Sequence, residues 1–278
     1  MVLSAVIVGL ITGGIPYFSQ QISTLSLFIA MTVSLTHINV RTIEIKRSEF
    51  VLPLLINYGL LSSIILVLGF FFPEDIWNGF VILAAVPPAI AIIPITKILR
   101  GDIKFSLVSL TFIYILSLLL TPFIIFFLLG KNVNVFGLVQ TIILLLFLPL
   151  ILSQIIRRIN FSSQKKTYIA NICFFILIFV LVGKNRSFLF SQITIVFWII
   201  IASFIRTFGT GMLIKTVSSK KGLSYDRQIP LILFGVFKNG GLAILLALSL
   251  FGGIAAVPAI IGLIFEMLWV GCFELKIC

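Results

Sequence analysis

Acidic side chains are scarce in this chain. Asp and Glu number 8 against 20 Lys and Arg, and charged residues of both signs make up only 10% of 278 residues. That is too little polar surface to cover a water-soluble globule. The shortage also removes chemistry. With a single histidine, His37, no His-Glu-x-x-His helix can form. No aspartate pair and no serine with a histidine on a facing segment is found either, so the patterns of an intramembrane enzyme are missing. Cysteine is limited to Cys173, Cys272 and Cys278, whose spacing suits no metal and which read as apolar filler. The N-terminus has neither a basic region nor a small-residue cleavage pattern, so Met1 to Tyr17 reads as a retained first span near the lower limit of about 17 residues. Long polar stretches are lacking as well, which leaves no room for a soluble domain.

What is present is apolar. Hydrophobic residues make up 60% of the chain, and the mean hydropathy is +1.27. The formal charge of +12 would suit nucleic acid only if it formed a basic face, and here it sits in short clusters between apolar runs, so nucleic acid is not a partner. The pattern predicts an all-α polytopic membrane protein with about ten transmembrane helices, near 2–18, 22–39, 50–72, 78–99, 103–129, 134–156, 167–183, 188–213, 228–250 and 254–273. Basic residues cluster in alternate connections. One set holds Arg41, Lys46, Arg47, Lys97, Arg100, Lys104, Arg157, Arg158, Lys165, Lys166, Lys215, Lys220, Lys221, Arg227 and Lys276. The other holds only Lys131, Lys184 and Arg186, with Glu74 and Asp75 in one of its loops. The positive-inside rule then puts both termini in the cytoplasm, with the plasma membrane as the expected location.

Two of these spans are interrupted. Span four reads VILAAVPPAIAIIPITKILRGD, where Pro87 and Pro88 remove helical donors and Val86 to Ala89 is expected to be non-helical. Span nine reads FGVFKNGGLAILLALSLFG, in which Lys238, Asn239 and the pair Gly240 and Gly241 break an apolar run. There the glycines are expected to loosen the helix. Unwound backbone at membrane depth is tolerated only where it is buried in protein or lines a cavity, so the two breaks are expected to meet at mid-membrane. Each is fourth in its half. Halves with an odd number of spans insert in opposite senses, which gives one transporter domain, 1–278, made of an inverted repeat of five plus five spans, 1–132 and 133–278.

The run Pro87 to Asp102, PPAIAIIPITKILRGD, resembles the broken fourth helix of the bile acid:sodium symporter superfamily, which also includes organic-anion and arsenite carriers. That helix usually reads Pro-Gly-Gly, then Ser-Asn, then a Thr, and closes on Arg-Gly-Asn or a similar turn. FGVFKNGGLAILLAL resembles the crossing helix of the same superfamily, Glu-x-Gly-x-Gln-Asn-x-x-Leu-Ala. The resemblance covers essentially the whole chain. It implies a small panel domain packed on a core domain, with the broken helices crossing at the binding site. The superfamily's sodium ligands include the Ser-Asn pair, here Ile92 and Ile93, and the Glu and Gln of the crossing helix, here Phe234 and Lys238. Sodium is a hard cation that wants several oxygen ligands, which isoleucine and phenylalanine do not supply. The resemblance therefore implies a carrier not coupled to sodium through the usual sites. Pro87, Thr96, Arg100, Gly101, Ser106, Asn239 and Asn57 remain in position.

The substrate-binding candidates are thus Lys238, Asn239, Pro87, Pro88, Thr96 and Asn57, with Glu266 as a counter-ion candidate. Glu266 and Lys238 lie at matching depths of roughly 18 and 15 Å from opposite faces. Either they form a structural pair, or Lys238 lines the substrate cavity. Arg206 is expected to snorkel from the cytoplasmic end of span eight, and His37 to be ordinary interfacial structure. The reading is a secondary transporter of a small organic anion. The alternatives are a proton-coupled or facilitative carrier of another solute and a channel or structural membrane protein. No metal or cofactor is implied. The expected partners are the lipid bilayer and an anionic small molecule, and the sequence assigns no oligomeric state.

Overall fold

The computed structural model describes residues 2–36, 47–130, 133–158 and 162–274. His37, Lys131 and Cys278, with Arg41, Lys46 and Lys276, lie outside them. The described residues form helices and no strands, in the order α1 Val2–Thr12, α2 Ser19–Leu35, α3 Arg47–Leu54, α4 Ser62–Gly69, α5 Glu74–Ala85, α6 Ile92–Ile98, α7 Ile103–Leu129 and α8 Val135–Ile142. They continue with α9 Leu148–Ile156, α10 Ser163–Lys184, α11 Arg186–Ser191, α12 Ile193–Phe204, α13 Thr210–Lys220, α14 Tyr225–Val236, α15 Gly240–Phe251 and α16 Gly253–Glu274. π-helical turns at Leu55–Leu61, Ile143–Phe147 and Ile205–Gly209 join α3 to α4, α8 to α9 and α12 to α13. Such turns widen a helix locally and are frequent at functional sites.

Among the described residues, 7 stretches are long and apolar enough to cross a membrane, and Tyr225–Phe251 is one of them despite its break. The described helices at the expected spans 2–18, 22–39 and 78–99 fall short of that length, and 37–39 of the second lie outside the described residues. The first holds a helix of 11 residues, the second one of 17, and the third is split between α5 and α6. This is an integral membrane protein.

The helices sort into two packed groups. α2 lies on α10 and α9, and α1 lies on α10. In the second group α16 packs on α15, α5 and α12, while α14 packs on α13, α6 and the π turn Leu55–Leu61. The groups touch where α15 meets α2 and α8, and where α16 meets α10. Close backbone approach shapes the second group. A Cβ built on Gly79 of α5 would overlap the Ala255 carbonyl oxygen of α16. Gly79→Ala is therefore expected to push these helices apart and cost about 1–3 kcal/mol, the range for overpacking a core. A thermal unfolding midpoint in detergent equal to that of the wild type would contradict this.

Both expected breaks are present. α5 ends at Ala85 and the chain turns extended at Val86, with φ −71° and ψ 153°. Two consecutive prolines explain this: neither has a donor to continue the helix, and the second disfavours helical geometry at the first. α14 ends at Val236, and Phe237 is extended with φ −98° and ψ 127°. The glycine pair behaves differently from expectation. Gly240 and Gly241 begin α15, and the unwound residues are Phe237, Lys238 and Asn239. The glycines serve close packing instead, since a Cβ on Gly241 would come within 2.9 Å of Leu27 Cδ1 in α2.

The turn after α6 ties the broken helices together at one end. Arg100 is left-handed at φ 58°. Asp102 caps α7 by accepting from the Phe105 N–H at 2.8 Å, and its carboxylate pairs with Arg227 at 3.3 Å. The Asp102 N–H donates to the Asp226 carbonyl at 2.8 Å.

Candidate functional site

A helix that stops inside the protein leaves carbonyls without partners, and each must be satisfied where it lies. At the end of α5 the carbonyls from Ala84 to Pro87 all are. The Ala84 carbonyl accepts from Ser62 Oγ at 2.7 Å and from Lys238 Nζ at 2.9 Å. The Ala85 carbonyl accepts from Thr121 Oγ1 at 2.9 Å. The Val86 carbonyl accepts from Lys238 Nζ at 3.0 Å, and that of Pro87 from the Asn239 N–H at 2.7 Å.

The end of α14 is treated in the same way. The carbonyls of Phe234 and Phe237 accept from Asn57 Nδ2 at 2.7 and 3.0 Å. The Gly235 carbonyl accepts from Thr210 Oγ1 at 2.7 Å, and the Val236 carbonyl from Arg206 Nη1 at 3.5 Å. Each break thus receives one cation, with two hydroxyls at the first break, Ser62 and Thr121, and one at the second, Thr210. The π turns present these groups: Asn57 and Tyr58 lie in one, and Arg206 in another.

Of the two expected arrangements, the carboxylate–ammonium pair of Glu266 and Lys238 is not formed, and Lys238 is among the residues that line the cavity. Glu266 Oε1 is bonded to Arg206 Nη2 at 2.9 Å, with the side chains 2% and 1% exposed. It also accepts from the backbone N–H of Lys238 at 3.2 Å. Arg206 is therefore buried, not snorkelling. The cause is helix length. The segment runs Ile193–Lys220, so Lys215 and Lys220 extend the helix beyond the expected end at 213, and Arg206 falls near its middle. The Lys238 ammonium points elsewhere, to Ser62 Oγ at 2.9 Å and the two α5 carbonyls. It also lies 4.4 Å from the centre of the Tyr58 ring.

Asn239 joins both helix groups. Its Oδ1 caps α15 by accepting from the Leu242 N–H at 3.1 Å. Its Nδ2 donates to Tyr114 Oη at 2.8 Å and contacts Met31 Sδ at 3.3 Å.

A cavity of about 260 Å³ lies between the groups. α10 supplies Ala170, Phe174, Phe175 and Ile178, α2 supplies Met31 and Ser34, and α16 supplies Leu263, Glu266 and Met267. Both breaks reach it, through Ala89, Ile90 and Ala91 and through Phe237 to Gly241. Lys166 and Thr167 stand at its α10 end. Two other grooves, of about 460 and 700 Å³, touch neither break; the first is lined by apolar side chains only.

Of the candidate residues, Lys238, Asn239 and Glu266 line the cavity. Pro87 and Pro88 are buried in the first break beside the lining residues. Asn57 is fully buried on the α14 carbonyls, and its Oδ1 has no hydrogen-bond partner among the described residues. Thr96 is bonded to Ser106 Oγ at 2.9 Å. Ile92, Ile93 and Phe234 are buried apolar side chains. Sequence reasoning missed Ser62, Tyr58 and Thr210, which carry no signal in an apolar run.

A sequence profile of the SBF-like CPA transporter family matches residues 15–270. The chain belongs to that family. With it comes membership of the bile acid:sodium symporter superfamily, as the two broken-helix motifs implied. SBF-like CPA proteins are transporters and not enzymes, so this one is a membrane-embedded transporter of a small molecule. A search of curated proteins finds no match.

Proposed function

We propose that this SBF-like transporter carries a small organic anion with a ring-sized apolar body through the cavity between its two helix groups, without using sodium at the superfamily's usual positions. One observation carries the reading: both broken helices, which belong to the second group, end at this cavity, and its facing walls come from α2 and α10 of the first group. Movement of one group on the other would then expose the same cavity to either side. Walls of Phe174, Phe175, Ile178 and Leu263 suit an apolar body. Gly240 and Gly241, at the positive N-terminal end of α15, line the cavity where an acid head would lie. In their usual ionised forms Arg206, Lys238 and Glu266 leave one positive charge in excess beneath the cavity, which favours an anion.

In this reading Lys238 acts by its charge from behind the site, while Pro87, Pro88, Asn57 and Thr96 hold the breaks in shape. The chain crosses the membrane ten times as an inverted repeat, with both termini in the cytoplasm of a cell whose plasma membrane holds the protein. One correspondence supports the repeat: span three supplies the Ser62 hydroxyl to the first break, and span eight supplies the Thr210 hydroxyl to the second. A permanently charged lysine fits better than a proton-cycling one. An ammonium has three donors, and Ser62, Ala84 and Val86 take all of them.

A cavity of about 150 Å³ holds benzene, so one of about 260 Å³ fits a bicyclic acid. We expect 2-naphthoate and 2-naphthalenesulfonate to bind the purified protein, measured by calorimetry, more tightly than the neutral 2-naphthalenemethanol. Ala170→Trp, which fills the cavity, is expected to weaken binding at least about tenfold. Equal binding of the alcohol would overturn the anionic assignment, and unchanged binding to Ala170→Trp would overturn the site.

A further inference from the structure

The surroundings of the Lys238 ammonium have the makings of an ion site. Three oxygens converge on it, Ser62 Oγ at 2.9 Å, the Ala84 carbonyl at 2.9 Å and the Val86 carbonyl at 3.0 Å. The Tyr58 ring closes a further side at 4.4 Å from ring centre to Nζ. Two of the oxygens are at the C-terminal end of α5, where the helix dipole and the unpaired carbonyls favour a cation. An aromatic face does the same. Ser62 has one hydroxyl proton, which goes to Ala84 or Asn57, so its lone pair is left for the ion. Lys238 itself is fully buried, and the socket lies outside the cavity, since Ser62, Ala84, Val86 and Tyr58 do not line it.

We infer that Ser62, Ala84, Val86 and Tyr58 form a monovalent-cation socket selective for primary ammonium, and that the chain fills it with its own Lys238. Apart from that lysine, it uses none of the positions at which the superfamily's sodium ligands stand. Its role is to hold the end of α5 against the second break in a single, permanently loaded arrangement. The inference concerns the protein with nothing in its cavity and does not depend on what is transported.

Lys238→Ala removes a three-carbon chain and its ammonium, so n-propylammonium is the matching probe. The thermal unfolding midpoint in detergent is expected to fall in Lys238→Ala. Saturating n-propylammonium is expected to raise it again by about 3–5 °C, while the wild-type midpoint does not move. Tetramethylammonium, which has no N–H donor, and 1-propanol, which has no charge, are expected to do nothing for the variant. Ser62→Ala added to Lys238→Ala is expected to reduce the amine effect. Amine stabilisation that is equal in wild type and variant, or absent from the variant, would overturn the socket. Should Lys238→Ala not survive extraction, recovery only in the presence of the amine supports it. Lys238→Met as stable as wild type would overturn it, because an uncharged chain of that length would then be sufficient.

Discussion

Arg206→Leu is expected to lose about 3–5 kcal/mol of stability, the cost of leaving one member of a buried ion pair alone. Arg206 and Glu266 are nearly inaccessible and bonded at 2.9 Å. After the substitution Glu266 would keep only the Lys238 N–H at 3.2 Å. The Val236 carbonyl would lose its donor as well. Because the penalty comes from the stranded carboxylate, Arg206→Leu combined with Glu266→Leu is expected to recover much of the loss, as replacing a whole buried pair by apolar groups is often close to neutral. Thermal unfolding in detergent separates the two. A single variant as stable as the wild type, or a double variant no better than the single, would show that the pair does not hold this part of the fold.

The second large effect is an absence of coupling. A sodium gradient that would speed a sodium-coupled carrier many-fold is expected to leave this one unchanged. Sodium needs several oxygens, and most carbonyls at the two helix ends are already taken. Those from Ala84 to Pro87 are taken by Ser62, Lys238, Thr121 and the Asn239 N–H. Those from Phe234 to Phe237 are taken by Asn57, Thr210 and Arg206. At the superfamily's usual positions side chains do not make up the difference, because Ile92, Ile93 and Phe234 are apolar and buried. In the proposed carrier a tethered ammonium at the first break and a guanidinium at the second stand in for that charge.

Much of this was legible in sequence because polar letters stand out in apolar runs. Pro87, Pro88, Lys238, Asn239 and Glu266 mark the breaks and the cavity for that reason. Geometry was less legible. Lys238 and Glu266 do meet at a common depth, but through the lysine's backbone N–H, and depth along a helix says nothing about which way a side chain turns. Arg206 lies deeper than the expected end at 213 implies because the helix continues through Lys215 to Lys220, and lysines can continue a helix while their ammonium groups reach toward polar surroundings. Gly240 and Gly241 looked like hinges and are helical contacts. Ser62, Tyr58 and Thr210 become functional only through neighbours that are distant in sequence, so no local pattern announces them. The π turns that present Asn57 and Arg206 have no sequence signature either.

Uptake of labelled 2-naphthoate by proteoliposomes tests the central claim most directly, with sodium equal on both sides, with an inward sodium gradient, and with potassium replacing sodium throughout. The account predicts the same initial rate in all three conditions, and a rate at least about tenfold lower for Ala170→Trp. A clear acceleration by the sodium gradient, lost when potassium replaces sodium, would contradict it.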